Sequence, residues 1–252
     1  MRKIVLAVIG LGFCLSAPIV MADEHETPER FTYATYFWCD AGLEGPADDY
    51  VMRNGEIYDK MVEDGDILGW GWMSHHTGGL WRRLRWHQTD SLEGVIAATD
   101  AMAAAVEEKY GEDDEAGLAF SKACPNHVDY VWQVENGTVG VERGKIGFSV
   151  YHRCDIGREE RADEIVAEHV APIMNKMVED GELTSWGWQS HVIGGGFRKL
   201  QTMSAKDLPT LLKARTASIQ AIYGEDDAIG EEFVDLCGPH VDYIWNLDSE
   251  SN

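Results

Sequence analysis

Five of the nine histidines sit where their neighbours could give them chemistry: His75, His127, His152, His191 and His240. His127 and His240 open two near-identical segments, HVDYVW and HVDYIW, each with an aspartate two residues on, Asp129 and Asp242. Residues two apart on a strand share a face, so each carboxylate can orient its imidazole for proton transfer or metal ligation. The plain alternative is a strand-opening histidine whose aspartate bonds a nearby loop. Tryptophans form the second candidate set. Trp70 and Trp72 alternate with Gly69 and Gly71, and Trp186 and Trp188 flank Gly187. On a strand the indoles take one face, and the glycines leave the other open to a ligand or a second backbone. An indole wall suits an apolar or aromatic ligand, and an ordinary core equally well. Arg83 and Arg85 lie in a basic, aromatic segment, RRLRWH, that either offers a place for an anionic group or pairs with local carboxylates.

These candidates come in pairs because the chain writes itself twice. The stretch 61–84 returns as 177–200, with MVEDG, WGW, SH and GG repeated 116 positions later. YGEDD at 110–114 returns at 223–227, now 113 apart, so three residues are missing near the start of the second long helix. Small gaps beside a turn are what loops tolerate. The copies also differ: Phe37 becomes His152, Trp38 becomes Arg153, His76 becomes Val192, and Arg85 becomes Gln201. Such differences can mark a working site in one half, or plain drift.

The elements that must position these residues follow from periodicity and punctuation. FTYATYFWC (31–39) reads as a strand, and a polar helix follows over about 47–63, ending at Gly65. Strands over 67–74 and 80–87 flank the Thr77-Gly78-Gly79 turn. Asp90 with Glu93 resembles a capping box for a helix that runs to Tyr110 and stops at Gly111. A short helix ends near Lys122, and a strand over 127–134 closes the unit. The order then restarts: strand 146–154, helix 159–179, hairpin 183–202, helix 205–223 capped by Ser204 with Asp207, strand 240–246. The boundaries are repeat 1 at 30–136 and repeat 2 at 145–248.

A β-α-β-β-α-β unit of this kind resembles the ferredoxin-like fold. Two in tandem are similar to the dimeric α+β barrel superfamily, with both protomers fused in one chain. The resemblance implies an α+β protein of two ferredoxin-like βαββαβ repeats packed as a pseudo-symmetric barrel. It also implies a ligand space between sheet and helices. Its members include cofactor-free monooxygenases, haem-binding proteins and stress-response proteins. In such a sheet the first and fourth strands are neighbours, which brings Cys39 to Cys124 and Cys154 to Cys237. In an oxidising compartment that reads as one disulfide per repeat.

Composition sets the remaining limits. Residues 1–22 carry Arg2 and Lys3, an apolar run from Ile4 to Leu15, and small residues before Asp23, which is a secretory signal pattern. The expected destination is the periplasm or the exterior. The net charge is −23, and loss of Arg2 and Lys3 takes it to −25, a surface that repels nucleic acid and anionic membranes. No phosphate loop, zinc-protease motif, nucleophile elbow or calcium loop occurs. No metal site is expected, and no residue set names a cofactor. The expectation is an internal pseudo-dimer, monomeric in solution, that binds a small apolar or aromatic molecule in a tryptophan-lined cavity. An oxidative enzyme, cofactor-free or haem- or metal-dependent, is the alternative. An acidic interaction protein is the third possibility.

Overall fold

A computed structural model describes residues 29–223 and 227–251, so the signal pattern and the second YGEDD loop at 224–226 lie outside the described residues. The first half contains β1 (Phe31–Trp38), α1 (Glu44–Asp64), β2 (Gly69–Gly78), β3 (Arg83–Thr89), α2 (Leu92–Tyr110), α3 (Glu115–Ala123) and β4 (Asn126–Gly137). The second contains β5 (Ile146–His152), α4 (Glu159–Ile165), a π-helical turn (Val166–Val170), α5 (Ala171–Glu179), β6 (Ser185–Gly194), β7 (Lys199–Ala205), α6 (Leu208–Tyr223), α7 (Asp227–Cys237) and β8 (His240–Ser251).

The eight strands form one closed antiparallel barrel in the order β1-β3-β2-β8-β5-β7-β6-β4. Each half supplies four consecutive strands. The halves join where β2 pairs with β8 and β4 with β6. Strand alternation then sorts every residue to one of two faces. Tyr36, Trp86, Tyr130, Trp132, Tyr151 and Trp245 turn inward, and Trp81 and Phe197 from the hairpin turns join them. Tyr130 stacks on Trp132 at 4.8 Å, and Tyr243 lies between Trp245 and Trp81 at 5.0 Å from each. The barrel interior is therefore an aromatic core. Gly71 faces it, and a Cβ there would collide with the Trp86 indole.

The outward faces pack under helices. Trp70 and Trp72 bury against α1 and α2, and Trp186 and Trp188 against the helices of the second half. Disulfides Cys39–Cys124 and Cys154–Cys237 close each half. Among the described residues no helix is long and apolar enough to cross a membrane.

Three details depart from the sequence reading. Ser91, not Asp90, caps α2 by accepting from the Gly94 N–H at 3.2 Å, and Asp207, not Ser204, does so for Thr210 at 2.8 Å. Ser204 instead lies in β7, hydrogen-bonded to Ser185 and Thr184. The missing three residues also fall elsewhere. Buried Val95, Ala98 and Met102 of α2 match buried Leu211, Ala214 and Ser218 of α6 at a constant 116, so α6 starts in step and loses its last turn. It has 16 residues where α2 has 19. The short helix α7 has no counterpart in the sequence reading, which ran directly from 223 to the last strand.

Candidate functional site

Each half holds a cavity between the outward sheet face and its helices. In the second half, alternation turns Val150 and His152 of β5, Trp188 of β6, Gln201 of β7 and His240 of β8 toward that space. Ile165, Val166 and Val170 cover it from one side, Arg215, Ile219 and Ile222 of α6 from another, and Phe233 and Val234 of α7 complete it. The enclosed volume is about 230 Å³, with mostly apolar walls.

His152 is 5% exposed and is the polar centre of this cavity. Its Nδ1 lies 3.0 Å from the Cys237 carbonyl oxygen, which can only accept, so Nδ1 carries the hydrogen and Nε2 a bare lone pair. That Nε2 is buried and has no hydrogen-bond partner among the described residues. Burial lowers the imidazole pKa to about 4, with the Cys237 carbonyl opposing, so the ring is neutral at pH 7. Trp188, Phe233 and His240 surround it, with ring centroids at 5.7, 5.6 and 5.6 Å. The Arg215 guanidinium makes no hydrogen bond or ion pair among the described residues, and it sits 5.2 Å over the Phe148 ring. Burial lowers its pKa, and the charge of Asp242 opposes the shift. His240 donates from Nδ1 to the Gly238 carbonyl at 2.6 Å, and its Nε2 is 3.8 Å from Asp242.

The π turn explains a spacing in the sequence. Trp72 donates to Asp48 and Trp188 to Asp163, carboxylates 115 apart, while Trp70 donates to Asp59 and Trp186 to Asn175, 116 apart. One residue is therefore inserted between 163 and 175, and the π turn at 166–170 absorbs it. The continuous helix expected over 159–179 thus carries one wide turn, directly against the cavity. Wide turns of this kind recur at functional sites.

The first-half cavity is larger and more open, about 590 Å³, and is lined by Tyr33, Phe37, Tyr50, Arg85, Thr99, His127 and Asp129 among others. The Arg85 guanidinium makes no hydrogen bond or ion pair among the described residues. His127 Nε2 is 3.3 Å from Asp129. Burial raises the Tyr33 phenol pKa, and Asp129 raises it further. Position by position, Phe37, Tyr50 and Thr99 here correspond to His152, Ile165 and Arg215 in the second half.

The residues singled out from sequence thus divide. His152, Trp188 and His240 meet at the second cavity with Asp242 beside it, and Arg85, His127 and Asp129 meet at the first. Trp70, Trp72 and Trp186 line neither. Each is at most 2% exposed, with its indole N–H held by a helix residue. Arg83 is likewise occupied, bidentate to Asp48 at 2.7 Å, and Lys199 holds the equivalent Asp163. His75 and His191 lie at the two seams between halves. Arg82 and Arg198, which can only donate, hold their Nδ1 atoms at 2.7 Å. Burial and then these arginine charges lower both imidazole pKa values. Arg215 escaped the sequence reading. Its only signal is an arginine in helical phase with the buried positions 211, 214 and 218. No group of three or more metal-capable side chains occurs among the described residues.

No protein-family model and no curated protein sequence matches this chain. Solved structures do. A monooxygenase candidate from Lactobacillus acidophilus NCFM has a TM-score of 0.56 and 7% identity, over 88% of this chain and 96% of its own. An anthrone oxidase-like protein has 0.53 and 13%, over 90% and 94%. A haem-binding protein from Thermus thermophilus has 0.50 and 11%, over 86% and 91%. At such identities the likeness is one of fold, and the chain has the dimeric α+β barrel fold.

Proposed function

We propose that the second-half cavity binds a small apolar or aromatic molecule whose anionic end is held by Arg215. The observation that carries this is the arginine itself. In a chain with 44 acidic residues against 21 basic ones, its guanidinium forms no ion pair among the described residues and borders an apolar space. About 230 Å³ is below the roughly 300–1,000 Å³ of drug-sized sites, so the ligand is no larger than one or two fused rings. Titration with 2-naphthoate, followed calorimetrically, tests this. Arg215→Gln removes a charge-assisted contact worth about 1.5–3 kcal/mol, so affinity falls at least tenfold. Equal binding by Arg215→Gln overturns the assignment.

The second reading is oxidative conversion of such a molecule. The unpartnered His152 nitrogen favours it, together with the fold shared with a monooxygenase candidate and an anthrone oxidase-like protein. The fit of a haem, which the Thermus protein's name records, is poor here. The second cavity is too small for a porphyrin, and in the first the one imidazole among the lining residues, His127, has its Nε2 3.3 Å from the Asp129 carboxylate. We also read the chain as a fused duplicate of two ferredoxin-like units (30–136 and 145–248), exported to the periplasm or beyond and monomeric. The repeat, the disulfides and the leader pattern support that reading.

A further inference from the structure

We infer that the ligand of the second cavity carries a hydroxyl on its ring, whose hydrogen is accepted by His152 Nε2, making it a hydroxylated aromatic acid. This rests on the ligand-binding reading above and narrows its chemistry.

The tautomer is fixed by the protein. The Cys237 carbonyl takes the Nδ1 hydrogen, which leaves Nε2 as an acceptor and nothing else. The same atom is buried without a partner among the described residues, the state that buried polar groups ordinarily avoid. The fold does not require it, because the sister position holds Phe37 in the same packing role against Trp72 and Phe120. His152 makes the corresponding contacts to Trp188 and Phe233. An imidazole therefore stands where a phenyl ring suffices, with one unsatisfied acceptor on a cavity wall. The charged and titratable groups around it are Arg215, His240 and Lys199, the last opposite it on β7, and Asp242 and Tyr223 stand beside Arg215. The Arg215 guanidinium is assigned to the ligand's anionic end, the Lys199 ammonium is committed to Asp163 and Ser190, and the Nδ1 hydrogen of His240 is committed to Gly238. None of these groups donates to Nε2, so this acceptor is open to a donor carried by the ligand. A phenol, with a pKa of about 10, keeps its proton beside so weak a base, so the contact is a neutral hydrogen bond.

The experiment compares 6-hydroxy-2-naphthoate, its 5- and 7-hydroxy isomers, their methyl ethers and 2-naphthoate on the mature protein by calorimetry. At least one hydroxy isomer is expected to bind tenfold or more tighter than its methyl ether, and its phenol absorption band to shift to the red. His152→Phe abolishes the difference, whereas His152→Gln, with a side-chain carbonyl acceptor, keeps part of it. Binding of all these naphthoates without preference for a hydroxyl overturns this inference and leaves the ligand-binding reading standing. Binding of none overturns that reading as well. Should His152→Phe fail to fold, the hydroxy-versus-methoxy comparison on the natural protein still decides.

Discussion

His87 and His152 are two imidazoles that folding holds neutral. His87 Nε2 lies 3.0 Å from the Val95 carbonyl, and burial lowers its pKa to about 4, as it does for His152. In the unfolded chain both return to about 6.5. The folded values lie below the unfolded ones, so the stabilisation is complete above pH 6.5 and is lost as pH falls from 6.5 to 4. Each group contributes about 3 kcal/mol over that window. The sister residues supply the controls, since Met203 stands where the first half has His87 and Phe37 where the second has His152. Urea unfolding at pH 7 and 4.5 is expected to show a smaller acid loss in His87→Met than in the natural protein. Parallel pH dependence in the two proteins would refute it.

The helix over the second cavity shows what spacing does and does not encode. The offsets of 115 at Cys39 and Cys154 and 116 at the tryptophans contain the inserted residue, but offsets do not distinguish an insertion in a loop from one inside a helix. Only the indole hydrogen bonds on either side of the π turn place it. The tryptophan faces were illegible for a related reason. In a closed barrel under helices both faces of a strand are buried, so the Trp/Gly alternation separates the faces without saying which is inside. Element order, α7 apart, was legible because alternation and punctuation act locally, the paired histidines because the sequence repeats, and the cysteine pairs through the strand neighbours that the fold resemblance implies. Deleting Ala167, which is exposed on the π turn, is expected to return this helix to the α-helical register of α1. The far-ultraviolet circular dichroism should survive, while naphthoate affinity falls tenfold or more as Val166 and Val170 turn relative to the cavity. Unchanged affinity would show that the wide turn is packing alone.

At the scale of the molecule, the two halves complete one another's sheet. Separated, each leaves two strand edges bare, β2 and β4 or β6 and β8, and exposes its inward aromatic face. Fragments 29–140 and 141–251, each with its own disulfide, are expected to be poorly soluble singly and to co-purify as a 1:1 complex when co-expressed. Two soluble, separate monomers would contradict this. The disulfides span 85 and 83 residues, within halves and not across seams. Each is expected to contribute roughly 4 kcal/mol. Reduction should therefore lower the urea midpoint sharply without dissociating a fragment pair.

The joining of two barrel halves in one polypeptide has a consequence for how its cavities could change. In a homodimer, every substitution appears at both sites, so a residue that improves one purpose is imposed on the other. Here His152, Arg215 and the π turn occur once, and Phe37, Thr99 and an uninterrupted α1 occupy the matching places. The two cavities can therefore change independently of each other within one chain.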